Sequence, residues 1–261
     1  MANTNASDRN LSLERKNEQL KNEVEQLKKE LERSNQFKVA VLSNLSHEIR
    51  TPLNCILGFT EIISDPSLSI DDRKVYADVL AESGSALMSV INDVLDISKI
   101  DQDQYHVYPV KFDLNDLMFQ VYSDLKPVSE KKDLQLFLEN VISTPFYIDS
   151  DPAVLKKILD KLIDNALKFT KNGWVKFYYK ESGTKIKFSI EDTGIGIPVE
   201  MQESIFERFT TQPVSQSRHL GGTGIDLSLC SGLVRLLGGT INLKSKAGSG
   251  SVFNFTISKN L

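Results

Sequence analysis

Cysteine is scarce: Cys55 and Cys230 are the only two in 261 residues, and they belong to no ligand-spaced cluster. That usage argues against a disulfide scaffold and for a reducing, cytosolic compartment. No apolar run reaches the ~18 residues that mark a membrane span. Met1 to Arg9 lack the apolar core of a signal peptide. A membrane anchor would therefore have to lie outside these residues, in a longer protein. There is no large charge excess either. Lys plus Arg number 31 against 35 Asp plus Glu, a net charge of -4 that makes no global case for nucleic-acid binding. What remains, 40% hydrophobic and 25% charged, suits a soluble chain of one or two domains.

The first 36 residues read as a coiled coil. Leu13, Asn17, Leu20, Val24, Leu27 and Leu31 alternate steps of four and three, with Glu and Lys between them. Leu13, Leu20 and Leu27 take d positions, which places Asn17, Val24 and Leu31 at a. Asn and Val at a with Leu at d favour a two-stranded, parallel register. A native signalling helix and a grafted zipper fit these residues equally.

Residues 37–104 read as a helical hairpin. The seam continues through Phe37, Val41 and Leu45, and Ile49, Leu53, Ile56, Thr60 and Ile63 then keep helical spacing. His47 and Glu48 fall off that stripe and should face water or a partner. Pro52 removes a backbone donor, a defect worth ~3 kcal/mol inside a helix, so a kink is expected close to His47. Ser64-Asp65-Pro66 marks a loop, with Ser69 or Asp71 as cap for a second helix striped by Leu80, Leu87, Ile91 and Val94. Two such helices cannot bury both stripes alone. Two copies make a dimeric four-helix bundle.

Residues 105–261 change to α plus β character. Short strands are expected at Val110–Phe112, Leu134–Glu139 and Phe146–Ile148, and a helix from Asp113 to Lys131 interrupted at Pro127. Asp151-Pro152 opens a helix that runs to about Thr170. Trp174–Lys180 pairs with Ile186–Ile190 around Gly183, and Thr240–Lys244 with Val252–Ile257 around Ala247–Gly250.

Four stretches here carry chemistry. Lys161, Asn165 and Lys168 share one polar helix face, where an amide oxygen suits Mg2+ and a lysine suits phosphate; a plain solvated face is the competing reading. Asp192-Thr193-Gly194-Ile195-Gly196 sits at a strand end, where the carboxylate can accept from an exocyclic amine. Asp-Thr-Gly also occurs in aspartic proteases, but the long helices argue against that fold. Ile205-Phe206-Glu207-Arg208-Phe209 precedes a polar run to Leu220 long enough to be a lid, although the aromatics most simply pack the loop base. Gly221-Gly222-Thr223-Gly224-Ile225-Asp226-Leu227 leads into a helix whose first N–H groups could meet phosphate.

In this order the four resemble the N, G1, F and G2 boxes of the histidine-kinase ATP-binding domain, shared more distantly with gyrase-type ATPases. Ser46-His47-Glu48-Ile49-Arg50-Thr51-Pro52-Leu53 resembles the phosphoacceptor box of sensor histidine kinases. The resemblance implies a two-layer α/β sandwich after the helical bundle, with ATP and Mg2+ as cofactors and homodimerisation. It further implies phosphoryl transfer to His47 and then to an aspartate of a response-regulator receiver domain. By the same resemblance Asn165 would hold Mg2+, Asp192 would read adenine, and Lys168, Gly194, Gly196, Gly222, Thr223 and Gly224 would line the nucleotide. Glu48 can accept the ring proton of His47, and Thr51 would position water for a phosphatase reaction. Arg50, His106 and His219 carry no assigned role.

Two residues depart from the family pattern. Lys161 replaces the usual first Asn of the N box, and Asp226 a glycine of the G2 box. A carboxylate beside a triphosphate repels it, so either Lys161 pairs with Asp226 and leaves affinity reduced, or both point to solvent. An ATP-deficient dimeric scaffold or phosphatase, and a gyrase-like ATPase that never phosphorylates itself, are the competing functions.

Overall fold

The computed structural model describes residues 45–139, 144–206 and 224–261, together with positions 16, 18, 20, 21, 24, 25 and 28. The chain divides into two compact units, Met1–His47 and Glu48–Leu261. The described positions between 16 and 28 are helical and exposed, Leu20 and Val24 among them. The other expected seam positions, Leu13, Asn17, Leu27, Leu31, Phe37 and Val41, lie outside the described residues.

Residues 45–63 (α1) are helical without a break at Pro52. The turn that follows is closed by Arg73, whose guanidinium donates to the carbonyls of Ile63 (2.8 Å) and Asp65 (3.1 Å). Ser69 caps α2 (Ile70–Asp101), accepting from the N–H of Asp72. Phe59 of α1 stacks on Tyr76 of α2 at 5.3 Å. Ile49, Leu53, Leu57, Met88, Ile91 and Leu95 remain exposed in the single chain, so the hairpin leaves apolar surface on both helices.

The remaining elements are β1 (Val110–Asp113), α3 (Leu114–Lys131), β2 (Gln135–Leu138), β3 (Tyr147–Ser150), α4 (Pro152–Phe169), β4 (Trp174–Ser182), β5 (Lys185–Asp192), α5 (Val199–Gln202), α6 (Asp226–Leu236), β6 (Ile241–Ser245) and β7 (Ser251–Ser258). Five strands form a sheet of order β2-β4-β5-β7-β6, with β2 parallel to β4 and the other neighbours antiparallel; β1 and β3 pair separately. α3, α4 and α6 cover one face, which makes the two-layer sandwich. One expectation is corrected here. α3 is not interrupted at Pro127 but continues to Lys131. Pro127 removes only its own N–H from the ladder, and one further turn of helix follows it, in which Ser129 Oγ donates to the Lys126 carbonyl at 2.8 Å.

Alternation fixes which face is dry. Val175, Phe177 and Tyr179 of β4 point inward, as do Ile186, Phe188 and Ile190 of β5 and Phe253, Phe255 and Ile257 of β7. The directly opposed rings of Phe188 and Phe255 stack at 4.6 Å in the centre. α4 presses Leu155, Ile158, Leu159, Leu162, Ile163 and Leu167 into this layer, each fully buried.

α4 is pinned at its start by Asp151. Its Oδ1 accepts from the N–H groups of Ala153 (2.9 Å) and Val154 (3.1 Å), and its Oδ2 from the N–H of Tyr108 (2.8 Å). Asp151 therefore sets the helix N-terminus and ties down the loop that follows α2. Asp151→Ala should lower stability by about 2 kcal/mol, since it removes a cap and strands a further backbone donor. Urea denaturation checks this; a loss below half that figure would mean that water replaces the carboxylate.

Candidate functional site

The apolar face of α4 fixes where its polar face points. Lys157, Lys161, Asn165 and Lys168 recur at steps of four and three. Lys161 is largely withdrawn from solvent, its side chain 21% exposed. Its ammonium pairs with Asp226 of α6 at 2.9 Å and makes a close ion pair with Asp93 of α2. Lys157, one turn earlier, lies 2.7 Å from Asp96 and 3.0 Å from Asp93. The contact with Asp93 Oδ1 is an ion pair rather than an aligned hydrogen bond. Burial alone would push the Lys161 pKa down, but the field of Asp226 and the bond and charge of Asp93 outweigh it and hold the ammonium charged. Of the two readings for Lys161 and Asp226, the structure has the paired one. Asp93, Asp96 and Lys157 carry no motif, and only the packing of α2 on α4 and α6 reveals them.

Asp192 ends β5 almost buried. Its Oδ1 accepts from the N–H of Gly194 at 2.8 Å and of Ser251 at 3.3 Å, while no described residue donates to Oδ2. One oxygen is thus fixed and the other is left as an acceptor. Burial raises the pKa of this carboxyl, and the two N–H groups oppose that rise. The glycines around it admit other backbone rather than side chains. A Cβ on Gly194 would run into the Phe169 carbonyl at the end of α4. One on Gly196 would run into the Lys246 carbonyl, and one on Gly250 into that of Asp192 itself. Gly196 and Gly250 also hold positive φ. These contacts lock the β5 end, the α4 end and the β6–β7 turn into one block.

Gly224, at φ +65°, turns the chain into α6. Ile225 at the N-cap is buried, and no side chain among the described residues caps the first turn of α6. Asp226 stands in that turn. Gly222, Thr223, His219 and the expected lid lie outside the described residues. Before the lid, Phe206 packs edge-on against Phe253 at 6.3 Å, the loop-base role expected of it.

His47 and Thr51 are exposed on α1, one turn apart, and Glu48 is half-buried. An exposed imidazole off the apolar stripe can meet an incoming phosphoryl group. His106 is a loop residue whose Nδ1 lies 2.9 Å from the Gln104 carbonyl. The half-buried amide of Asn165 is a hard oxygen donor that fits Mg2+, and among the described residues no group of three His, Cys, Asp or Glu is placed to hold a metal ion. A single amide suits a cation that takes most of its ligands from water and phosphate.

Asp192→Asn keeps an acceptor for both N–H groups and removes the charge that burial disfavours. Because the folded pKa is raised, the ionised carboxylate costs stability once pH rises through that pKa. The variant should therefore unfold at higher temperature than the parent at about pH 7 and lose that advantage below about pH 4, where both states of the parent are protonated. Thermal unfolding across that range measures it; an offset that does not change with pH would refute the burial argument.

Residues 150–261 match the family of histidine kinase-, DNA gyrase B- and HSP90-like ATPases, and residues 37–103 match the His Kinase A phospho-acceptor domain. The chain is 34% identical over 231 residues to the autoinducer 2 sensor kinase/phosphatase LuxQ of Vibrio parahaemolyticus, covering 86% of this chain and 27% of that protein. It is 36% identical over 234 residues to the sensor histidine kinase GacS of Pseudomonas protegens, covering 87% and 25%. The chain thus spans about a quarter of the length of these relatives. Full-length ShkA, solved in complex with AMPPNP, superposes with a TM-score of 0.62 at 30% identity, over 83% of this chain and 45% of that one. The Acinetobacter baumannii histidine kinase AdeS shares the fold, with a TM-score of 0.62 at 24% identity over 82% and 98%. With an exposed histidine in the phosphoacceptor match and a strand-end aspartate in the ATPase match, the chain belongs to the sensor histidine kinases of two-component systems.

Proposed function

We propose that this chain transfers the γ-phosphoryl group of ATP to His47 and then passes it to an aspartate on a receiver domain. The observation that carries the reading is Asp192, a nearly buried strand-end carboxylate with one oxygen immobilised and one left to accept from the adenine amine. Asn165 and Lys168 on α4 and the α6 entry at Gly222, Thr223 and Gly224 complete the proposed nucleotide site, with Gly194 and Gly196 shaping its floor. Mg2+, held by Asn165 and the phosphates, would neutralise charge on the transferring group.

In the transfer, a bond forms between an imidazole nitrogen of His47 and the γ-phosphorus as the bond to the bridging oxygen breaks. ADP leaves with that electron pair. The proton on the other ring nitrogen passes to Glu48, in the orienting role of a third group. Thr51 positions water for dephosphorylation, in keeping with the kinase/phosphatase name of the Vibrio relative. Residues 1–36 serve as a coiled coil, 37–104 as the dimerising phosphoacceptor hairpin and 105–261 as the ATP-binding module. The exposed apolar residues of α1 and α2 support a second copy as partner. No helix among the described residues is long and apolar enough to cross a membrane; a cytoplasmic placement rests on the reduced cysteines.

One observation favours the competing ATP-deficient scaffold: the Lys161–Asp226 pair stands where the family pattern has other residues. Incubation with γ-labelled ATP separates the readings. Acid-labile label should accumulate in the parent and vanish in His47→Ala. A folded parent without label supports the scaffold, and ATP hydrolysis that survives His47→Ala supports a gyrase-like ATPase. Asp226→Gly should bind ATP severalfold more tightly, because it removes a carboxylate from the first turn of α6; unchanged or weaker binding overturns that role.

A further inference from the structure

The charges that join α2 to the ATP-site helices form a chain: Asp96, Lys157, Asp93, Lys161, Asp226. Its members come from three elements. α4 and α6 contribute two ammoniums and one carboxylate, so on their own they present one net positive charge. α2 brings two carboxylates and turns that into one net negative charge. Asp93 is only 5% exposed, so its charge is poorly screened by solvent. Apolar contacts hold the same surface. Ile97 and Ile100 of α2 are buried, and α6 carries Gly232 where a Cβ would stand 3.2 Å from two carbons of Ile100.

We infer that Asp93 and Asp96 are positioning residues that set nucleotide affinity: docking of α2 makes the ATP-site helices electronegative and weakens binding of a polyanionic nucleotide. This deepens the ATP-binding reading and rests on it. Asp226 stands in the first turn of α6, two residues after Gly224. Alone with Lys161 it would be neutralised. With α2 docked, Asp93 shares that ammonium, and Asp226 is left partly uncompensated at the helix end that would face phosphate. Linkage makes the effect reciprocal, so a bound nucleotide must loosen the contact between α2 and α6 by the same factor. The phosphoacceptor hairpin thereby reports its position to the nucleotide site through charge, with no residue of α2 touching the nucleotide.

The test is titration of the full chain with Mg-AMPPNP, alongside Asp192→Asn as a control for the site itself. Asp93→Asn and Asp96→Asn should each bind about fivefold more tightly than the parent, the lower end of ordinary site-to-site coupling. Gly232→Val, which wedges α6 from Ile100 and touches no charge, should tighten binding in the same direction. In the parent, saturating AMPPNP should speed hydrogen exchange at residues 93–101. If binding depends on Asp192 but the folded Asp93 and Gly232 variants match the parent within a factor of two, the inference fails while the ATP site stands. If Asp192→Asn binds as the parent does, or the parent does not bind, the site assignment itself falls, and the coupling with it.

Discussion

One ammonium, that of Lys161, sits where three helices meet. Most of its side chain is withdrawn from water, and a charge in that setting is tolerated only when it is paired and hydrogen-bonded. Asp93 and Asp226 meet that condition from two different helices. Burial alone would discharge the lysine, and the carboxylates prevent it. The positions of α2, α4 and α6 are therefore coupled through a point charge as well as through packing. An apolar residue at 161 would leave α6 held by packing alone, with Lys157 still tying α4 to α2 by charge.

The rigid part of the site owes its shape to backbone meeting backbone. Gly194, Gly196 and Gly250 each stand where a single carbon would strike a carbonyl of another segment. Read as sequence, the glycines of Asp192-Thr193-Gly194-Ile195-Gly196 suggest close approach to a ligand. In the fold their nearest neighbours are the end of α4 and the β6–β7 turn. The Asp192 carboxylate is held by the same arrangement, because its two donors are the N–H groups of Gly194 and Ser251. Close packing of three loop ends thus serves the ligand indirectly, by immobilising the group that would recognise it.

Much of this was legible from residue order. Period-two alternation located β4, β5 and β7, and Asp151-Pro152 marked the start of α4 to the residue, because those signals are local. The proline in α3 misled, since losing one ladder bond need not end a helix whose other bonds remain. The Lys161–Asp226 pair was foreseeable as one of two outcomes, because both residues stood out against a motif. Asp93, Asp96 and Lys157 were not. They lie on ordinary amphipathic helices, and their significance is a long-range contact, 68 residues apart for Lys161 and Asp93, that no spacing rule encodes.

The turn between α1 and α2 has its own consequence. Arg73 reaches back from the second helix to grip two carbonyls at the end of the first, and Phe59 lies flat on Tyr76 just beyond. A slack loop would let one helix spin while the other stayed still. This one is tied at its apex, so turning either helix about its own axis must strain or break those contacts.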